Sequence, residues 1–337
     1  MSLCVSLDVM GGDKAPSIVL DGAELVLQEE KDVRFHLYGD KNLIKSQLSK
    51  YPFLSSKSEI FHCTEVVTSD TKPVDALRRL KDSSMRRAIE AVAQGKCDAV
   101  VSAGNTGAYM ALSKITLKSL DGIDRPAIAA LLPTVHGYCI GLDMGANLEC
   151  TAENLMQFAI MGDVMARRML GVKNPRIGLL NVGTEEVKGH AIVQHASQLM
   201  KEIPDINYVG FVEGDDINHG VADVVVTDGF TGNVSLKTLE GAAQFIFSTI
   251  RNTLESSILG KLSYLVGYKS FKNIKDRLDP RKYNGATFLG LKGIAIKSHG
   301  GADAVAFANA IKVAINLAKN SDTLNLGQEI EEKIKKL

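Results

Sequence analysis

Seven times along the chain a short run of apolar residues ends in a small polar turn containing glycine, and helix-like sequence usually follows. The segments are SLDVMGGD (6–13), AVVSAGNTG (99–107), CIGLDMGAN (139–147), IGLLNVGTE (177–185), YVGFVEGDD (208–216), VVVTDGFTGN (224–233) and GIAIKSHGGAD (293–303). An apolar run bounded by turn residues has the pattern of a buried strand, and strands alternating with helices have that of a parallel sheet. The polar turns of such a sheet gather along one carboxyl edge, where open α/β folds bind ligands. The hydropathy pattern therefore predicts an α/β fold with a site built from these turns.

The first helix is expected to begin near Pro16, since proline suits a first helical turn. Strands are predicted at 33–39 and 59–63, with a helix over 42–50 between them. Ala76, Leu80, Met85, Ala88, Ile89 and Val92 keep a helical period and predict one long amphipathic helix over 75–95. Segments 127–133 and 138–144 flank TVHG and predict a hairpin within the sheet; further helices are predicted at 153–171 and 190–203. No repeat, low-complexity tract or Pro/Ser-rich linker divides the chain, which reads as one domain over 1–337. One stretch departs from the alternation. Residues 253–281 carry Leu254, Ile258, Leu262, Leu265, Val266 and Phe271 at near-helical spacing. Between 251 and 282 there are eight Lys/Arg against three Asp/Glu, a local net of +5, which predicts a basic amphipathic helical insertion.

Composition narrows the function classes. The 337 residues hold 39 basic and 39 acidic side chains, so no overall field draws in nucleic acid or a membrane. The amino terminus lacks the basic start and small-residue cleavage site of a signal peptide, and no apolar stretch approaches a membrane span. Cys4, Cys63, Cys97, Cys139 and Cys150 are scattered and never form CxxC, which suits reduced thiols in a cytoplasmic protein.

A turn of Gly, Asn, Ser or Thr entering a helix offers free N–H groups and the positive end of a helix dipole, an arrangement that fits phosphate. SAGNTGA (102–108) is the best example, with Asn105, Thr106 and Gly107; its plainer reading is a helix N-cap. KSHGGAD (297–303) places Lys297, Ser298 and His299 at a strand end, where a histidine can bind an anion, pass a proton or simply face solvent. Lys188 in NVGTEEVKG either clamps an anion or makes a surface ion pair. Asp8, Asp143 and Asp228 stand at strand ends, placed to hold a lysine, orient a histidine or cap a helix. No GxGxxG follows a strand, and neither GxxxxGK[ST] nor a GxSxG elbow occurs. His190 and His195 are five apart, the wrong spacing for two metal ligands on one helix face, so no metal or cofactor is expected. Cys150 is the one cysteine just beyond a candidate turn; Cys4, Cys97 and Cys139 read as core packing.

Taken together, DVMGGDKAP (8–16), KDSSMRRAI (81–89), VVSAGNTGAYMA (100–111), GLDMGAN (141–147), LLNVGTEEVKG (179–189), GFVEGDD (210–216), VVVTDGFTGNVSLKTLEG (224–241), NGATFLGLKG (284–293) and IKSHGGADAVAFANAI (296–311) resemble the phosphate acyltransferase (PlsX-type) family of bacterial phospholipid synthesis. The resemblance runs in order over nearly the whole chain. It implies a three-layer α/β/α Rossmann-like sandwich similar to isocitrate/isopropylmalate dehydrogenases and phosphotransacetylases, working as a homodimer. The implied reaction moves a long fatty acyl group from acyl carrier protein to inorganic phosphate, and a membrane acyltransferase then takes the acyl group to glycerol 3-phosphate. Competing readings are a phosphotransacetylase-like enzyme using acyl-CoA and a non-catalytic lipid-binding regulator.

Phosphate can attack a thioester directly, and a thiol of pKa near ~8.5 leaves readily. The protein then needs to position two anions and stabilise the developing oxyanion. On that basis Asn105, Thr106, Lys297 and Ser298 are expected to form the cradle, with Gly107 and Asp143 beside it. Lys188 is expected to add charge and His299 to shuttle a proton, while Asp228, Asn147 and Asn233 orient the set. The basic insertion suits carrier-protein docking, peripheral contact with the inner face of the membrane, or dimer packing.

Overall fold

The structure, a computed structural model, describes residues 3–269, 271–272, 279–319 and 323–336. The chain alternates as β1 (Leu3–Asp8), α1 (Ser17–Glu29), β2 (Val33–Gly39), α2 (Lys41–Leu48), α3 (Pro52–Lys57), β3 (Ser58–His62), α4 (Pro73–Arg78), α5 (Ser84–Ala93), β4 (Ala99–Ser102) and α6 (Thr106–Leu117). It continues through β5 (Ala127–Thr134), β6 (Gly137–Leu142), α7 (Ala152–Met169), β7 (Arg176–Leu180), α8 (Ala191–Glu202), β8 (Asn207–Val212), α9 (Asp216–His219) and β9 (Val224–Val226). Last come α10 (Gly229–Glu255), α11 (Ile258–Val266), a 3-10 turn (Pro280–Tyr283), β10 (Ala286–Leu289), β11 (Ile294–Lys297), α12 (Ala304–Lys319) and α13 (Thr323–Ile334).

All strands join one sheet in the order β3-β2-β1-β4-β11-β10-β5-β6-β9-β7-β8. Alternate residues of each strand enter opposite layers, as the period of two requires. Val100, Ala295, Phe288, Ile128 and Val225 face the layer holding Met85, Ile89, Tyr109 and Leu112 of α5 and α6. Their neighbours face the other layer, where α1 and α12 cover β1, β4 and β11. On that same face α7 and α8 cover β5, β6, β7 and β9. The result is the expected three-layer α/β/α sandwich.

The sheet does not have the single carboxyl edge that the turn pattern predicts. β3, β2, β1, β4 and β11 form one parallel block, and β6, β9, β7 and β8 form another. Antiparallel pairings of β10 with β11 and β5, and of β5 with β6, set the second block against the first. Twist offsets the reversal. At roughly 20–25° per strand, five steps from β4 to β9 turn the second block by about 110°, which swings its carboxyl ends back toward those of the first. The seven turns are thus two groups of loops.

Other boundaries differ for identifiable reasons. The predicted helix over 75–95 is broken into α4 and α5. Thr64 donates to Asp82 from its N–H at 2.9 Å and its hydroxyl at 2.8 Å, and Glu65 Oε2 accepts from the Asp82 N–H at 2.7 Å; these ties pull the segment out of helical geometry. The break sets Ser84 at the head of α5, beneath β1. The helical projection also starts well before residue 251: α10 spans 27 residues, and residues 273–278 of the predicted insertion lie outside the described ones.

Candidate active site

The first group of turns meets over β1, β4 and β11. Register aligns Lys297 with Ser102 and Leu7 with Val101, so the last residues of three neighbouring strands, Asp8, Ser102 and Lys297, lie side by side. The Asp8 carboxylate is buried and accepts from the hydroxyls of Ser84 at 2.6 Å and Ser102 at 2.7 Å. Burial pushes its pKa up. Lys297 is 9% exposed, and its Nζ donates to the carbonyls of Ala103, at 3.4 Å, and Ser298. Burial lowers its pKa to about 8, against a smaller opposing pull from Asp8. A glycine is required where these loops touch: a Cβ on Gly11 would stand 2.5 Å from Asp8 Oδ2 and 2.8 Å from the Gly104 N–H.

Ser298 and His299 follow directly. Asn284, just before β10, donates from its amide to Ser298 Oγ at 2.8 Å and to the Ala306 carbonyl at 2.7 Å, and its Oδ1 accepts from the His299 N–H at 2.9 Å. His299 Nδ1 accepts from the Gly301 N–H at 3.1 Å, while Nε2 lies 3.2 Å from Lys237 Nζ on α10. Burial first, then the Lys237 charge, lowers the His299 pKa and favours the neutral ring at pH 7.

The Asn105 side chain is engaged by its own surroundings rather than free for a ligand. Its Oδ1 caps α6 through the Ala108 N–H at 3.0 Å, and its amide donates to the carbonyls of Ser69 at 2.7 Å and Thr71 at 3.1 Å. The plainer reading of this turn, a helix N-cap, describes its side chain. The backbone N–H groups of Thr106 and Gly107 stand in the first helical turn, without intrahelical partners and at the positive end of the dipole.

The second group holds Asp143, Asn147, Asp228, Asn233 and Lys188. Asp143 is buried, and its oxygens accept from the N–H groups of Ile128, Gly145, Ala146 and Asn147 at 2.7–3.1 Å and from the Asn147 amide at 2.9 Å. Expected beside the substrate, it instead builds the turn after β6. Asp228 caps α10, accepting from the Thr231 N–H at 2.8 Å and hydroxyl at 2.7 Å. Asn233 packs against Gly145. Lys188 is half exposed and pairs with Glu185 at 2.8 Å, in the loop after β7. Burial pushes the Cys150 thiol up to about 12, which disfavours a thiolate nucleophile.

One element joins the two groups. α10 starts at Asp228, lies over the sheet face through Leu236 and Leu239, and delivers Lys237 to His299. Lys237 in turn pairs with Glu240 at 2.6 Å. The sequence reading missed Lys237 and Asn284, although both fall inside the motifs 224–241 and 284–293. Spacing alone does not show that α10 crosses from one block to the other.

The family described as "Fatty acid synthesis protein" matches residues 3–323. The chain is 52% identical to a phosphate acyltransferase of Rhodospirillum centenum over 315 residues, which are 93% of this chain and 89% of that protein. It is 49% identical to the phosphate acyltransferase of Caulobacter vibrioides over 337 residues, 100% and 92% of the two chains. This chain belongs to the phosphate acyltransferase family. Among solved structures, a phosphotransacetylase from Streptococcus pyogenes superposes with a TM-score of 0.64 at 15% identity, covering 95% of this chain and 94% of that one. EutD phosphotransacetylase from Staphylococcus aureus gives 0.59 at 16% identity over 94% of each chain. Both likenesses concern the fold.

Proposed function

We propose that this member of the phosphate acyltransferase family transfers a long-chain fatty acyl group from acyl carrier protein to inorganic phosphate, giving an acyl phosphate for phospholipid synthesis. The family supplies the reaction; the observation that carries the reading onto this site is the buried Lys297 ammonium where three glycine-rich turns meet. A phosphate oxygen attacks the thioester carbonyl, an oxyanion develops, the C–S bond breaks, and the thiolate leaves with a proton. Lys297, with a pKa of about 8, is matched to a thiol of ~8.5 and can hold the oxyanion or protonate the leaving sulfur. The Thr106 and Gly107 N–H groups and the Ser298 hydroxyl complete the anion cradle. His299, neutral and backed by Lys237, accepts or relays the phosphate proton. Lys188 approaches from the second group, exchanging Glu185 for an anionic reactant.

The test is phosphate-dependent release of free carrier protein from acyl carrier protein, with the acyl phosphate trapped by hydroxylamine. No release would remove the enzymatic reading. The phosphotransacetylase-like fold supports a second donor, acyl-CoA. A higher kcat/KM with acyl-CoA than with acyl carrier protein would replace the first donor by the second.

The same reading extends to a homodimer and peripheral membrane contact. Among the described residues no helix is long and apolar enough to cross a membrane. The far part of α10 and all of α11 hold no buried residue, and Phe245 is 70%, Ile258 88% and Val266 85% exposed. Such a projection gains about 1.5–3 kcal/mol per apolar side chain fully buried, in a partner subunit or in lipid, and about 1 kcal/mol per Lys near anionic headgroups. Lys261→Gln with Lys269→Gln, followed by flotation with anionic vesicles and by sedimentation, separates the two: lipid contact weakens and the dimer persists.

A further inference from the structure

The amino-terminal end of β1 holds a cluster that the transfer chemistry leaves unused. Cys4 Sγ lies 3.0 Å from Cys97 Sγ, with both residues buried. The imidazole of His36, on neighbouring β2, completes the group: its Nδ1 is buried and has no hydrogen-bond partner. One ligand atom from each of Cys4, His36 and Cys97 falls within 4.8 Å of the others. The three come from β1, from β2 and from a position two residues ahead of β4, and β2 and β4 flank β1 in the sheet. Cys4 and His36 are held by the pairing of β1 with β2, and the Cys97 N–H donates to the Ala91 carbonyl at 3.2 Å in the connection between α5 and β4.

We propose that Cys4, Cys97 and His36 form a binding site for a thiophilic d10 cation, Zn2+ or Cu+, that ties β1, β2 and β4 together at the end of the sheet opposite Lys297. Two thiolates and an imidazole are the soft donor set such ions select. Core packing explains buried cysteines in general, and it is how Cys4 and Cys97 read from sequence. It does not explain why a buried histidine nitrogen is left without a hydrogen bond on a ring beside two thiols, where an unmade hydrogen bond is costly.

The surroundings fit the same ion. His36 Nε2 lies 3.9 Å from Glu59 Oε2, so the ring has a carboxylate on its far side, as metal-bound histidines commonly do. Access is short: a hollow of about 330 Å3 is lined by Tyr38, Ala91 and Lys96, next to Cys97. Binding forms two S–metal bonds and one N–metal bond and sends both thiol protons to solvent; no electron is transferred.

The site lies four residues along β1 from Asp8, roughly 13 Å away at the rise of a strand, so it acts on the fold and not on the acyl transfer. The test uses the full chain, reduced and stripped with a chelator, then titrated separately with Zn2+, with Co2+ as a coloured stand-in for it, and with Cu+ against a chromophoric competitor. The expected result is one equivalent bound below micromolar Kd, a sulfur-to-cobalt absorption band in the near ultraviolet, and a Tm raised by several degrees. Cys97→Ser and His36→Gln should each weaken binding at least about tenfold, with the phosphate-dependent activity of the metal-free protein unchanged. Circular dichroism confirms that both variants fold. Absence of a tight site in folded wild type overturns the proposal, as does equal affinity in the variants. A Cys4–Cys97 disulfide in freshly isolated protein, seen as a loss of two hydrogens in non-reducing mass spectrometry, also overturns it.

Discussion

Asp8 and Asp143 are both fully buried aspartates at the ends of sheet strands, yet they sit in opposite kinds of environment. Asp8 is held by two hydroxyls and faces the buried Lys297, so the charge balance around it rests on side chains that can gain or lose protons. Asp143 is held by four backbone N–H groups and one amide, none of which titrates. The same contrast runs through the two groups of turns. Over β1, β4 and β11 the buried Asp8 and Lys297 lie among the hydroxyls of Ser84, Ser102 and Ser298, with the His299 ring next in the chain. Over β6, β7 and β9 the carboxylates fix backbone, and Lys188 is exposed and paired. On the function proposed above, one fold uses strand-end polar residues in two ways: the first group for chemistry, the second for geometry, with α10 running from the second to the first.

The sharpest way to break that contrast is Lys297→Met. Removing a well-placed oxyanion donor costs about 10²–10³-fold in kcat, and loss of the leaving-group acid should bring the total to about 10³ or more. The variant should nonetheless be more stable at pH 7. A lysine whose folded pKa is about 8, against an ordinary 10.5, binds fewer protons folded than unfolded between those values. Its burial cost is therefore complete below pH 8 and fades as pH rises toward 10.5. Methionine removes that cost, on the order of 1–3 kcal/mol, and thermal melts at pH 7 and pH 10 should show the gain at the lower pH alone. Full activity in the folded variant would take the chemistry out of the first group. Lys297→Arg refines the point: wild-type kcat/KM should fall above about pH 8, and in the arginine variant that fall should disappear.

Asp143→Ala has the opposite signature. Four N–H groups and the Asn147 amide lose their acceptor inside the protein, and a broken buried network of this size costs about 3–5 kcal/mol. The urea midpoint should drop sharply, while kcat of the molecules that remain folded stays within a few-fold of wild type. Asp143→Asn keeps one oxygen as acceptor and should recover part of the stability. A catalytic loss without a stability loss would place Asp143 at the substrate after all.

Much of this was legible before any coordinates. Apolar runs ending in glycine turns mark β1, β4, β6, β7, β9 and β11, because a strand buried on both faces has nearly continuous apolar sequence, and they mark β8 as well, although that edge strand is buried only at its end. The hairpin of β5 and β6 was legible from the short TVHG turn. The reversal between the two blocks was not, because a parallel and an antiparallel buried strand carry the same residues; only the placement of β10, four residues long, decides it. The break between α4 and α5 depends on Thr64 and Glu65, some seventeen residues away in sequence. Residue type singled out Lys297, Ser298 and His299, which stand together at the end of β11, but it does not distinguish an asparagine free for a ligand from one, like Asn105, that caps its own helix. Lys237 was hidden for a related reason: its helix period is visible, and its destination is not.

Lys188→Ala sharpens the contrast from the other side. The ammonium is exposed and paired with Glu185, so its removal should leave Tm unchanged. If the residue swings to an anionic reactant, kcat/KM for phosphate should fall about tenfold, the scale of one screened charge contact. The loss should grow at low ionic strength and shrink at high salt. A loss as large as that of Lys297→Met would mean that the second group also performs chemistry.

The smallest expected effect belongs to Asp228, and it decides most directly between sequence expectation and structure. As an N-cap it stabilises the start of α10 through Thr231, and replacing such a cap by alanine costs about 1 kcal/mol. Lys237 lies nine residues further along the helix, about 13 Å at 1.5 Å per residue, so fraying at the first turn reaches His299 only weakly. Asp228→Ala should therefore lower Tm by one or two degrees and kcat by less than about threefold, and Asp228→Ser, which can still cap, should restore both. If alanine and serine each abolished turnover while leaving Tm intact, the carboxylate itself would be required. The division between a chemical and a geometric group would then fail at the head of the helix that joins them.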